Sequence, residues 1–227
     1  MLAFALSVLS SEETVLTAAF LKAEEELFAN DLARLDKMFA THSCRHLYLD
    51  AGTNIGVQIR KVLQPALYPP SGAGHSEHQF RLAARYTEQV MASQFGSGSP
   101  RCDVCAVGIE PNPKHAARLR KLESSLTAAG FGVVIFRAAA TDAHSAAAIE
   151  ATDEAAKHEY WAAHLQQSAA TAANGTRTAL RVRTMDLGRL VQETDLRLRS
   201  QAGAGERGRL VMKMECATPP RCVSNQP

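Results

Sequence analysis

No part of this sequence is a long hydrophobic run. A helix that crosses a bilayer needs roughly 20 apolar residues, and the apolar opening segment, MLAFALSVLS over residues 1–10, is shorter than that and has no basic flank. Stable membrane insertion is therefore not expected. The segment reads as the start of a helix, with a clipped signal or anchor sequence as the minority reading. An excess of one charge is lacking too: 25 Lys and Arg against 23 Asp and Glu leave a net charge of +2. That balance argues against a nucleic-acid or membrane-surface partner. Cysteine is scarce, and five residues at 44, 102, 105, 216 and 222 are too few and too odd in number for a disulfide framework. There is no internal repeat, and no Ser-His-Asp or Cys-His order stands out. His75 and His78 have only Glu77 near them, so no metal site is expected.

What is present fits one α/β domain with decorations: 227 residues, 46% of them hydrophobic, can bury a proper core. Residues 1–41 form an N-terminal helical segment, with Ser10 and Glu13 at capping-box spacing and Leu21, Phe28, Leu32, Leu35 and Phe39 near helical period. Strand-like runs follow at His46 to Asp50, Asp103 to Ile109, Val133 to Phe136 and Arg209 to Met214. With helical patterns between them, the rhythm is βαβαβ and implies a doubly wound, mostly parallel, Rossmann-like sheet over residues 42–216. The helix after the second run has the clearest signals: Asn112 to cap, Pro113 in the first turn, Leu119, Leu122 and Leu126 as a stripe, and Gly130 past the end.

Two segments exceed a minimal fold. Residues 65–100 are an insertion with Pro, Gly and Ser at both ends, of the kind that forms lids or rims. Residues 138–175 are rich in alanine and read as helical, with the lone Trp161 between His158 and His164; residues 217–227 read as an irregular tail. Cys102 and Cys105 form a CxxC on a strand, where positions three apart point to opposite faces, so buried or edge cysteines are expected rather than a redox or zinc pair. Asn174-Gly175-Thr176 is a glycosylation sequon that matters only in the secretory pathway. The compartment stays open, with the cytoplasm slightly favoured.

The stretch HLYLDAGTNIGVQIRKVL, residues 46–63, starts as a strand, breaks at two glycines and ends as a helix. At such a join in a doubly wound sheet, ligands bind beside the turn. Gly52 and Gly56 allow conformations a Cβ forbids, Asp50 ends the strand with a carboxylate, and Asn54 tolerates a left-handed turn. Glu110 supplies a second acid at the end of the second strand, where a carboxylate can take both hydroxyls of a ribose. The dinucleotide fingerprint is absent, because Asn54 and Val57 stand where its second and third glycines belong. A pyrophosphate would also meet Asp50. A cationic, phosphate-free nucleoside such as S-adenosylmethionine fits these charges better.

YLDAGTNIG, VGIEPNPKHAARLRKLESSL, VVIFRAAATD, RVRTMDLGRLV and LVMKME resemble, in order, the blocks of FkbM-type methyltransferases, a branch of the class I S-adenosylmethionine-dependent enzymes. The resemblance runs from about residue 46 to 215. It implies that Asp50, Gly52, Asn54 and Gly56 cradle the methionine part of the cofactor, that Glu110 holds the ribose with Asn112 beside it, and that Ala140, Thr141 and Asp142 border the adenine. It also places Lys213 and Glu215 near the methyl-transfer centre, as base or charge stabiliser. The implied activity is O-methylation of a hydroxyl on a small molecule or a glycan.

The pattern departs from the family after Glu215, where CATPPRCVSNQP replaces the usual Glu-Gly continuation. The further strands of a class I enzyme are missing from the pattern, which implies a sheet incomplete at its C-terminal side. The alternative function is accordingly a catalytically inactive Rossmann-like module that binds a nucleoside or a protein. Ordinary roles compete at each position: Asp50 and Asp142 as helix caps, Glu110 as a solvated residue before a proline, Lys213 and Glu215 as an ion pair at a sheet end. The basic run of Lys114, Arg118, Arg120 and Lys121 reads as a solvated helix face. The sequence names neither the acceptor nor the oligomeric state.

Overall fold

The computed structural model describes residues 11–68, 88–98, 100–141, 147–151, 164–166, 178–201 and 208–214. The chain enters through helix α1 (Ser11–Thr41), followed by strand β1 (His46–Ala51) and the short helix α2 (Val57–Leu63). A helical stretch at 88–95 precedes β2 (Val104–Ile109), helix α3 (Ala116–Ala128) and β3 (Val133–Phe136). Five short strands come next: β4 (Ala139–Thr141), β5 (Ala147–Ala151), β6 (His164–Gln166), β7 (Thr178–Val182) and β8 (Thr184–Asp186). Helix α4 (Leu187–Gln201) then leads to β9 (Arg209–Met214).

The central sheet has the order β3-β2-β1-β9, and every pairing in it is parallel. Its strands are apolar runs because a parallel sheet is covered on both faces. One face packs Leu47, Leu49, Cys105, Val107 and Phe136 against Phe28, Leu35 and Phe39 of α1 and Leu190 and Leu198 of α4. The other packs Tyr48, Ala106, Val133 and Ile135 against α2, the 88–95 stretch and Leu119, Leu122 and Leu126 of α3. The protein is thus α/β, with a mostly parallel central sheet flanked by helices in a Rossmann-like arrangement. Burial of this kind dominates stability: truncating Leu49, which is fully buried, to alanine costs about 2–5 kcal/mol.

Charged contacts set how the layers sit. Arg189 of α4 pairs with Glu25 of α1 at 2.6 Å and lies over the Phe28 ring, 4.2 Å from its centroid. Arg197 pairs with Asp36 at 2.7 Å and with Glu193 at 2.7 Å, and Arg183 pairs with Asp31. The hydrogen bond to Glu25 raises the Arg189 pKa; burial lowers that of Arg197, but its bonds to Asp36 and Glu193 outweigh this and leave it raised. On the opposite face Arg101, nearly fully buried, donates to the carbonyls of Val62 (2.9 Å) and Gly96 (3.0 Å) and pairs with Glu88 at 2.6 Å. It fastens the end of the insertion to α2.

Two expectations from sequence are corrected. The alanine-rich stretch 138–175 is not helical where it is described: β4 pairs parallel with β8, and β5 pairs antiparallel with β6 and β7. Alanine's helix propensity is a weak prior that pairing with distant strands overrides. The cysteines do form a disulfide: Cys44, in the turn before β1, is bonded to Cys105 of β2, with Cα atoms 5.2 Å apart and a sequence separation of 61. Register explains it, since Leu47 lies opposite Cys105 and the turn folds back over β2. Gly132 makes room for it, because a Cβ there would collide with the Cys105 sulfur. Cys102 is free and exposed. Among the described residues no helix is long and apolar enough to cross a membrane. Ser10, His75, His78, Asp142, His158, Trp161, Asn174, Glu215, Cys216 and Cys222 lie outside the described residues.

Candidate functional site

The chain runs outward from β1 to β2 and β3, then returns to lay β9 on the other side of β1. Strand order reverses there, and in open α/β sheets the crevice beyond the carboxyl ends at such a reversal is where ligands bind. Asp50 is next to last in β1, with Gly108 of β2 opposite on one side and Lys213 of β9 on the other.

The loop after β1 is built from left-handed residues: Gly52 has φ 84°, Asn54 φ 54° and Gly56 φ 81°. Asn is among the few side chains that accept this conformation at modest cost. The Gly52 and Thr53 amides both donate to the Ile109 carbonyl at 3.0 Å, which folds the loop over the end of β2, and the Thr53 hydroxyl donates to the Asp50 carbonyl at 2.7 Å. Gly56 has a further reason to be glycine, because a Cβ there would collide with Leu122 of α3. Its role is packing of loop on helix as well as backbone freedom. Gly108 serves the same close approach: a Cβ would stand 2.7 Å from the Thr53 hydroxyl oxygen.

Glu110 joins the two strand-end loops. One carboxylate oxygen accepts from the Asn54 amide at 2.6 Å and the other from the Asn112 amide at 2.9 Å, and the residue is buried. Hydrogen bonds to a carboxylate are about twice as strong as neutral ones, so they fix the carboxylate plane across both loops. The reading of Glu110 as a solvated residue is corrected by this burial. Asn112 caps the turn Pro113–His115 by accepting from the Lys114 amide at 3.0 Å, which orients its amide nitrogen toward His115 Nε2 at 3.3 Å. His115, also buried, has its Nδ1 3.8 Å from Glu110.

Asp50 is fully buried, and Lys213 donates to it from 3.4 Å while keeping 26% of its own side chain exposed. The electrostatic picture from sequence changes accordingly: Asp50 does not confront the crevice as a bare charge, so the case against a pyrophosphate rests on the missing fingerprint and on Glu110. Asn54 Oδ1 is buried and has no hydrogen-bond partner among the described residues. A buried acceptor left open costs about 1–3 kcal/mol, and a donor on a ligand would satisfy it.

Of the residues expected at the site, Asp50, Gly52, Asn54, Gly56, Glu110, Asn112 and Lys213 share these strand ends. Thr141 sits instead on the separate β4–β8 pair, opposite Asp186, which caps α4 by accepting from the Arg189 amide at 2.9 Å. Sequence reasoning missed Thr53, Gly108 and His115; the spacing of His115 three residues after Asn112 on a helical turn was the available signal for one of them. Comparison of the chain with protein-family models, curated proteins and solved structures gives no match.

Proposed function

We propose that this crevice binds S-adenosylmethionine and that the protein is an S-adenosylmethionine-dependent O-methyltransferase acting on a hydroxyl of a small molecule or a carbohydrate. The observation that carries the reading is the Glu110–Asn54 junction: a carboxylate clamped to a left-handed loop at 2.6 Å, beside a buried Asn54 Oδ1 that lacks a partner among the described residues. Ribose hydroxyls and an α-ammonium are donors suited to these two acceptors. The ordered blocks that resemble FkbM-type methyltransferases support the same reading.

The cofactor's sulfonium methyl group is the electrophile when bound. The chain's own contribution is orientation. Glu110, held by two backbone amides, fixes where a ribose can sit, and the Gly52–Gly56 loop lets the backbone approach the ligand without side chains in the way. Holding reacting groups in near-attack geometry supplies about 7–11 kcal/mol in favourable cases. A second reading, a nucleoside-binding module without catalysis, draws support from Lys213: the one described residue expected to assist proton transfer is engaged with Asp50.

Calorimetric titration with S-adenosylmethionine and with NAD tests the proposal. Saturable binding of the first alone is expected, weakened about tenfold or more by Glu110→Ala, the scale of a charge-assisted hydrogen bond. A well-folded protein that takes up neither ligand rules the reading out. Binding without methyl transfer to any hydroxyl acceptor turns the conclusion to the second reading.

A further inference from the structure

The exposures of Asp50 and Lys213 assign them unequal parts. Asp50 is 0% exposed, whereas Lys213, its ion-pair partner at 3.4 Å, retains 26% of its side chain at the surface, so the lysine is the member of the pair that a ligand in the crevice can meet. Both stand at the reversal of strand order, directly opposite one another across β1 and β9. Val211, two residues before Lys213 on the same strand face, packs into the core, so the strand holds the lysine stem while its head reaches the strand ends. A flexible lysine is thereby turned into a positioned positive charge: its ammonium has three donors, and the bond to Asp50 at 3.4 Å directs one of them inward.

A fixed cation at this point selects for an anion on the ligand. We propose that Lys213 reads the α-carboxylate of the cofactor's amino-acid tail, and that Asp50 is the positioning residue that holds Lys213 for this purpose. The inference rests on the reading of the crevice as an S-adenosylmethionine site. It gives Lys213 a binding role in place of the expected role as base or charge stabiliser. The ligand carboxylate and Asp50 then flank one ammonium, and the cofactor's own ammonium and sulfonium offset the second negative group.

The discriminating probe is decarboxylated S-adenosylmethionine, which keeps adenosine, sulfonium and amine and lacks only the carboxylate. Titrated calorimetrically into the wild-type chain, S-adenosylmethionine should bind about ten- to a hundredfold tighter than the decarboxylated form, the scale of one charge-assisted hydrogen bond. Lys213→Met should lower affinity for S-adenosylmethionine, leave the decarboxylated ligand nearly unaffected, and bring the ratio close to one. Lys213→Arg should preserve the preference, and Asp50→Asn should reduce it by releasing the lysine. Equal wild-type affinity for the two ligands overturns the assignment, as does a ratio that survives Lys213→Met. Because the wild-type ratio is read without any variant, a Lys213→Met chain that fails to fold does not spare the proposal. If the wild type binds neither ligand, the cofactor reading falls and takes this inference with it.

Discussion

The two edges of the central sheet are finished in different ways. At β3, the outward-facing Ile135 amide donates to Glu123 of α3 at 3.2 Å, and the Ile135 carbonyl accepts two bonds from Arg34 of α1 at 3.3 Å. Arg34 and Glu123 also pair at 2.7 Å, so two helices on opposite faces close the edge with one ion pair that stands in for a neighbouring strand. At β9, no further strand pairs on the outer side among the described residues, and Met212 and Met214 are 41% and 51% exposed. Exposed backbone at a sheet edge invites pairing, and charged side chains are a common way to block it. The site lysine belongs to the open edge, while Glu110 belongs to the interior beside the closed one.

The difference predicts a gradient of stability across the sheet, and substitutions can break it from the strong end down. Removing the disulfide with Cys44→Ala and Cys105→Ala should lower unfolding free energy by about 2–4 kcal/mol, given the long loop it closes, as read by denaturant titration. A loss within error would mean that the link does not form in the folded protein. Glu123→Ala should cost about 1–3 kcal/mol, since it removes the acceptor of the Ile135 amide and the partner of Arg34, and light scattering should register more association. Met212→Thr, at the open edge, should shift stability by no more than about 0.5 kcal/mol. An equal loss at Met212 and at Glu123 would contradict the contrast between the edges.

How much of this was legible in the sequence follows from locality. The runs Val133 to Phe136 and Arg209 to Met214 match β3 and β9 because a buried parallel strand announces itself as an apolar run. Asn112, Pro113 and Gly130 marked the α3 segment because caps are set by neighbours within a few residues. Asp50, Gly52, Asn54 and Gly56 could be placed on one loop for the same reason. What was not legible depends on distant partners. Cys44 meets Cys105 only through the β1–β2 register, and β5 is a strand only because β6 and β7 pair with it. The Lys213–Asp50 bond spans 163 residues, and it altered the electrostatics inferred from Asp50 alone. Gly56 was expected to serve a ligand, and its contact with Leu122 adds a packing reason visible only in the fold.

Amide hydrogen exchange, followed by mass spectrometry with and without S-adenosylmethionine, tests the location of the site most directly. Added protection is expected in peptides covering residues 50–56, 110–112 and 209–214, with β3 already slow in both states. Binding accompanied by protection elsewhere, with these three segments unchanged, would contradict a cofactor crevice at the ends of β1, β2 and β9.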